Sequence, residues 1–114
     1  MLVTVIHNAF EDTPITVAEI DAGSRTEDDA LEYAYRVTQN LEGSWSKGPT
    51  IEWDGEVHKN GDYNDDITVV APLHEGQDGK VYGLRSTSVG DVLQIGRRQY
   101  EVAAFGWNEL NVAI

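Results

Sequence analysis

One segment of this chain carries a helical period, and it sits inside a sequence otherwise patterned for strands. Ala30, Ala34, Val37 and Leu41 recur at spacings of four, three and four, and Leu31, Tyr35 and Thr38 widen the stripe. Thr26 stands ahead of Glu27, Asp28 and Asp29. A hydroxyl there can accept from a free first-turn amide, and the carboxylates complement the positive end of the helix dipole. Gly43 is a suitable stop. The spacing predicts one principal helix over about residues 27–41. Its apolar stripe faces the core or, on the alternative reading, a partner, with Glu27, Asp28, Glu32, Arg36 and Gln39 outward.

The rest reads as strands and turns. Residues 2–7 are β-branched and apolar, and Ile15-Thr16-Val17-Ala18-Glu19-Ile20 alternates; Glu11 to Pro14 turns between them. Thr50-Ile51-Glu52-Trp53, residues 67–71 and residues 80–85 are further strand candidates, and Asp54-Gly55 is a hairpin-type dipeptide. Residues 89–95 and 99–107 are β-rich runs on either side of Gly96-Arg97-Arg98, a strong hairpin pattern. Val92, Ile95, Tyr100 and Val102 are expected to face the core, and Gly106 to Leu110 to turn away and pack Trp107 and Leu110 on the hairpin. The sum is α+β: an antiparallel sheet of about five to seven strands, the helix packed on one face, and a C-terminal β-hairpin. No repeat and no linker divides the 114 residues, so we expect a single acidic α+β domain over residues 1–114.

Twenty acids against eight bases give a formal net charge of -12. The excess is uneven. Residues 11–66 hold 15 acids and 4 bases, residues 67–114 hold 5 acids and 4 bases, and residues 1–10 hold neither. Such a field repels nucleic acid and anionic lipid and attracts basic surfaces. Three readings compete: a solvated acidic surface, adaptation to high salt, and a surface that stands in for phosphate in a basic groove. Adaptation to salt predicts acids scattered over the whole chain, which the asymmetry argues against. No apolar run approaches the ~20 residues of a membrane span. The first residues lack a basic region, so no signal peptide is expected, and the absence of cysteine suits a reducing cytoplasm and excludes thiolate chemistry.

Catalytic and metal motifs fail on inspection. Asp62-Tyr63-Asn64-Asp65-Asp66 opens like a calcium loop, but Ile67 stands where glycine is needed and Leu73 where a bidentate Glu is needed. An adventitious calcium or magnesium there is the remaining metal reading. His7, His58 and His74 share no ligand spacing. Ser86, Thr87 and Ser88 lack a nucleophile-elbow context, and Pro49 follows Gly48 where a phosphate loop needs Lys. We therefore expect no enzyme, no resident cofactor and no metal.

Arg85-Ser86-Thr87-Ser88-Val89-Gly90-Asp91-Val92, then Tyr100, then Phe105-Gly106-Trp107, resembles the carboxy-terminal segment of small proteins carried by phages, plasmids and other mobile elements. These include the YodL-like domains of large polyvalent phage proteins. The likeness covers roughly residues 85–110. Ala30–Ser46 is also similar to the amino-terminal part of viral or plasmid proteins of like length. The resemblance implies a mobile-element origin and carries no catalytic residue. Physically, the same motif is a strand-entry turn in which Ser86 and Ser88 cap backbone groups and Gly90-Asp91 bends the chain.

The sequence thus points to a small acidic inhibitor of the anti-restriction or anti-CRISPR kind. It would bind the basic groove of a host nucleic-acid-handling protein in the host cytoplasm, without contacting nucleic acid or membrane. The expected contact residues are Glu27, Asp28, Asp29 and Glu32 of the helix and Glu52, Asp54, Glu56, Asp62, Asp65 and Asp66 of the loops, with Trp45, Trp53 or Tyr63 as apolar anchors. A homodimer fits the same reading. The alternative is a non-catalytic accessory module that assembles with another phage or plasmid protein through the sheet or hairpin. It predicts sensitivity near Arg85, Asp91 and Trp107 rather than in the helix.

Overall fold

The alternating burial of the first strand sets the two faces of the sheet. In a computed structural model describing residues 1–110, β1 (Leu2–His7) buries Val3, Val5 and His7 and leaves Leu2, Thr4 and Ile6 more exposed. β2 (Ile15–Asp21) runs antiparallel to it, with Val3 opposite Ile20 and Val5 opposite Ala18. The register shifts after Val5, where Val17 enters as an extra residue.

Thr26 opens the helix as its position predicts: its Oγ1 accepts from the Asp29 amide at 3.3 Å. The helix α1 (Glu27–Val37) then ends four residues before the hydrophobic period does. Thr38 is the physical reason. Its hydroxyl donates to Ala34 O at 2.8 Å and approaches Tyr35 O at 3.2 Å, and the Gln39 amide donates to Tyr35 O at 2.9 Å. Side chains thus cap the last carbonyls, and Leu41, an expected member of the stripe, is 76% exposed.

Two small hairpins follow outside the main sheet. β3 (Thr50–Trp53) and β4 (Glu56–Lys59) pair across Asp54-Gly55, whose φ values of 53° and 75° suit a two-residue hairpin turn. β5 (Ile67–Val69) joins β2. β6 (His74–Glu75) and β7 (Val81–Tyr82) form the second hairpin, so the strand expected over 80–85 is only two residues long. β8 (Val92–Ile95) and β9 (Arg98–Val102) make the expected hairpin, with Ile95 opposite Arg98 and Gly96 at φ 59° in the turn.

β10 (Trp107–Leu110) corrects the sequence reading. It pairs with β9 instead of turning away, after a reversal closed by the Ala103 amide donating to Gly106 O. The main sheet is therefore antiparallel, in the order β10-β9-β8-β1-β2-β5. The α+β class, one principal helix packed on the sheet and the C-terminal hairpin stand as expected.

The core lies between this sheet and α1. Val3, Val5, Ala18, Ile20, Leu93 and Val102 meet Ala30, Leu31 and Ala34. Alanines at 18, 30 and 34, all fully buried, let helix and sheet approach closely, so a larger side chain there would cost about 1–3 kcal/mol in overpacking. Tyr35 of α1 meets Trp107 edge-on at 6.1 Å, which ties the helix to the far end of the sheet. No described helix is long and apolar enough to cross a membrane.

Candidate functional site

Three polar assemblies stand out on this frame, and only two of them face solvent. The buried one is centred on Asp91, which is fully buried where the chain enters β8. Its Oδ1 accepts from the Asn8 and Ala9 amides at 2.8 and 2.9 Å, and its Oδ2 from the Ser88 amide at 2.7 Å. The Arg85 guanidinium grips both oxygens, at 2.8 and 2.7 Å, and reaches Glu11 at 2.8 Å with its other face. Burial pushes the Asp91 carboxyl up, but these donors outweigh it and hold it at about 2. Arg85 is raised further above its ordinary value by the same hydrogen bonds.

His7 and Thr87 complete this cluster. His7 Nε2 lies 3.1 Å from Thr87 Oγ1 and 4.0 Å from Asp91 Oδ2. Hydroxyl and carboxylate thus address the same ring nitrogen, whereas a nucleophilic triad needs them on opposite nitrogens. All three side chains are buried. Desolvation also lowers the His7 pKa, which favours the neutral ring at neutral pH. The cluster locks β1, the 85–91 turn and β8 together. Ser86 acts as expected in this turn: its Oγ accepts from the Asn40 amide at 2.8 Å.

The second assembly is the outer side of α1 with the loop beside it. Asp28, Asp29 and Glu32 are exposed there, with Arg36. The 62–66 loop is fastened alongside. The Tyr33 hydroxyl donates to Asp66 at 2.5 Å and accepts from the Asn64 amide at 2.9 Å, while Asp62 accepts from the Leu41 and Glu42 amides. Burial first, and the Asp66 hydrogen bond second, raise the Tyr33 phenol above its usual value. Asp65 is exposed and accepts from the Tyr63 hydroxyl at 2.5 Å. Arg25 stacks 3.7 Å over the Tyr33 ring. Glu27 turns toward the sheet instead, pairing with Arg98 and accepting from the Tyr100 hydroxyl.

The third assembly is a groove of about 820 Å³ between the β3–β4 and β6–β7 hairpins. Ile51, Trp53, Leu73 and Tyr82 supply its apolar surface, with Glu52, Asp54 and Asp78 and two lysines, Lys47 and Lys80, around them. Sequence reading named Glu52, Trp53 and Asp54 but missed Tyr82 and Asp78. A short polar loop gives no periodic signal, and the two hairpins meet only in three dimensions.

Trp45 requires a correction. It is 1% exposed, so it is a core side chain and no surface anchor. Its indole N–H donates to Arg85 O at 2.9 Å and its amide to Asn40 Oδ1 at 3.0 Å. Asp62 and Asp66 are half-buried and serve as local acceptors, which leaves Asp28, Asp29, Glu32 and Asp65 as the outward carboxylates of the helix side. Glu52, Asp54 and Glu56 lie on the separate β3–β4 hairpin. Among the described residues, no group of three or more His, Asp or Glu side chains is placed to hold a metal ion.

Comparison with protein-family models, with curated proteins and with solved structures gives no match.

Proposed function

We propose that the chain is a non-catalytic binding protein of mobile-element origin whose acidic surface occupies the phosphate-holding groove of a nucleic-acid-handling host protein. The observation that carries this reading is the state of the carboxylates on the outer side of α1. Asp28, Asp29, Glu32 and Asp65 are exposed, and among the described residues none of them pairs with Lys, Arg or His. Like charges held together by a rigid helix and a fastened loop repel one another, and a basic groove relieves that repulsion on contact. Tyr33 keeps the loop at a fixed distance from the helix, so the carboxylates need not be ordered at the moment of binding.

Inhibition of restriction nucleases and CRISPR effectors tests this, with duplex DNA as competitor and salt as variable. The expected result is competition with DNA, with affinity falling at least about tenfold as salt rises across one Debye-length halving. Neutralising Asp28, Asp29, Glu32 and Asp65 together should weaken inhibition by a similar factor. Inhibition indifferent to both salt and DNA would overturn the reading.

A further inference from the structure

The main sheet ends in β5 on one side and β10 on the other, and the chain treats the two edges differently. β5 is blunted. The Val70 and Ala71 amides both donate to Val17 O, at 2.9 and 3.3 Å, which ends the ladder in an irregular step, and Pro72 follows with no N–H to offer. β10 carries none of these devices. Trp107-Asn108-Glu109-Leu110 pairs with β9 in unbroken register and holds no proline or lysine, and among the described residues no strand lies beyond it.

The register tells which groups this edge offers. The Val102 amide donates to Asp91 O at 2.8 Å, and Val102 O accepts from the Gly90 amide at 2.9 Å, so both point toward β8. Trp107 stands opposite Val102. In an antiparallel ladder the N–H and C=O of Trp107 therefore point away from β9, and by alternation so do those of Glu109. Two donors and two acceptors face outward. The side chains alternate as well. Trp107 meets Tyr35 of α1, so it faces the helix with Glu109, while Asn108 and Leu110 face the other way. Trp107 and Tyr35 are only half-buried, so the core is open along this edge.

We infer that β10 pairs antiparallel with β10 of a second copy of this chain, about a two-fold axis through Asn108. This inference stands apart from the proposed function. Charge favours a second copy here: residues 92–110 hold two arginines and two glutamates in a chain of net charge -12, so the contact gathers no excess of like charge. Symmetry fixes the register. A two-fold through Asn108 places Trp107 opposite Glu109 of the second copy, and the reverse, and joins every outward group. A two-fold through Trp107 sets Glu109 against the turn at Phe105, and one through Glu109 sets two carboxylates against each other. With Asn108 on the axis its side chain meets its own counterpart, and an amide both donates and accepts. Gly106 falls opposite Leu110 of the second copy, which brings Phe105, 97% exposed, beside the end of that strand. The axis stands perpendicular to the sheet, so both helices lie on one face of a continuous sheet.

Cysteine tests the register directly, because the chain has none of its own. A cross-strand pair that exchanges no backbone hydrogen bonds brings its Cα atoms to about 4.5 Å, within disulfide reach. Asn108→Cys under mild oxidation should give a covalent dimer, and Thr68→Cys on the blunted β5 edge should stay monomeric. Sedimentation of the full unmodified chain should show a monomer–dimer equilibrium, with hydrogen exchange at the Trp107 and Glu109 amides slowing as concentration rises. Glu109→Pro removes an outward N–H from each copy and should raise the dissociation constant at least about tenfold. If that variant fails to fold by circular dichroism, Asn108→Asp, which sets like charges across the axis, should weaken the dimer in its place. A chain monomeric at every concentration would overturn the inference. So would a dimer that folded Glu109→Pro or Asn108→Asp leaves intact, or equal cross-linking of Asn108→Cys and Thr68→Cys.

Discussion

Asp91 and Asp65 are the same side chain under opposite conditions. Asp91 is sealed from water; its Oδ1 accepts from two backbone amides and its Oδ2 from one, and each oxygen also takes one nitrogen of Arg85. Asp65 is exposed and holds only the Tyr63 hydroxyl. A charge taken out of water must find a complete set of donors in its own chain, so Asp91 specifies where β1, β8 and the turn between Arg85 and Asp91 meet. A charge left in water specifies little about the fold and stays available to another molecule. The largest consequence is Asp91→Ala, which leaves Arg85 without its main partner and three amides without an acceptor. A loss of about 3–5 kcal/mol in urea unfolding is expected, against less than about 0.5 kcal/mol for Asp65→Ala. Comparable losses would erase the distinction. The same argument changes what Arg85 and Asp91 variants report: they read out folding, so they do not separate an assembly module from an inhibitor.

The tryptophans repeat the contrast in apolar form. Trp45→Ala empties a fully packed site and should cost about 3–5 kcal/mol. Trp53→Ala on the exposed hairpin should change stability by less than about 0.5 kcal/mol. Thermal and urea melts of the two variants check this directly, and a large cost at Trp53 would mean that the hairpin belongs to the core.

What was legible in the sequence follows the reach of each interaction. Thr26 with three acids behind it marks the helix start because capping is settled within four residues. Val92 to Val102 reads as a hairpin because its turn and both strands are contiguous. Trp45 was misread because Gly43-Ser44-Trp45-Ser46-Lys47-Gly48-Pro49 has a turn composition, while the group that buries its indole, Arg85 O, is forty residues away. Asp91 stood out in a motif, yet its role depends on donors at 8, 9, 85 and 88 that no local pattern connects. Among the candidate site residues, Asp28, Asp29, Glu32 and Trp53 were placed correctly on the surface by helical phase and turn chemistry. Tyr82 and Asp78 were missed because only the meeting of two hairpins makes them neighbours of Trp53.

Acid should undo the buried cluster. The carboxyl of Asp91 sits at about 2 in the fold, against its ordinary value in the unfolded chain. A depressed carboxyl contributes stability above the unfolded value and loses it as pH falls through the folded one. Glu11, lowered by its hydrogen bond from Arg85, acts in the same direction. Burial lowers His7, so below about pH 6.5 the unfolded chain takes up that proton before the folded chain does, and stability falls again. Stability should therefore be level between about pH 7 and 9, decline gently below about pH 6.5, and drop steeply between about pH 4 and 2, with about 2 kcal/mol of the loss due to Asp91. Urea midpoints across that range measure it.

The smallest effect is the most direct measure of how the outer carboxylates differ from the buried ones. Among the described residues, arginine pairs with three of the twenty Asp and Glu side chains: Glu11, Glu27 and Asp91. At a net charge of -12 the remaining carboxylates repel one another in the compact state more than in the expanded chain. Glu32→Gln with Asp65→Asn should therefore stabilise the fold slightly, by about 0.2–0.5 kcal/mol at low ionic strength, because neither side chain has an internal cation to lose. Added salt should shrink that gain toward zero, since screening relieves the same repulsion in the parent chain. The loss caused by Asp91→Ala should change less with salt, because the Asp91 carboxylate is out of solvent and three of its donors are backbone amides. A double variant that destabilises instead would show that Glu32 and Asp65 are already used to hold the molecule together, and the acidic side of α1 would then have little left to offer a basic partner.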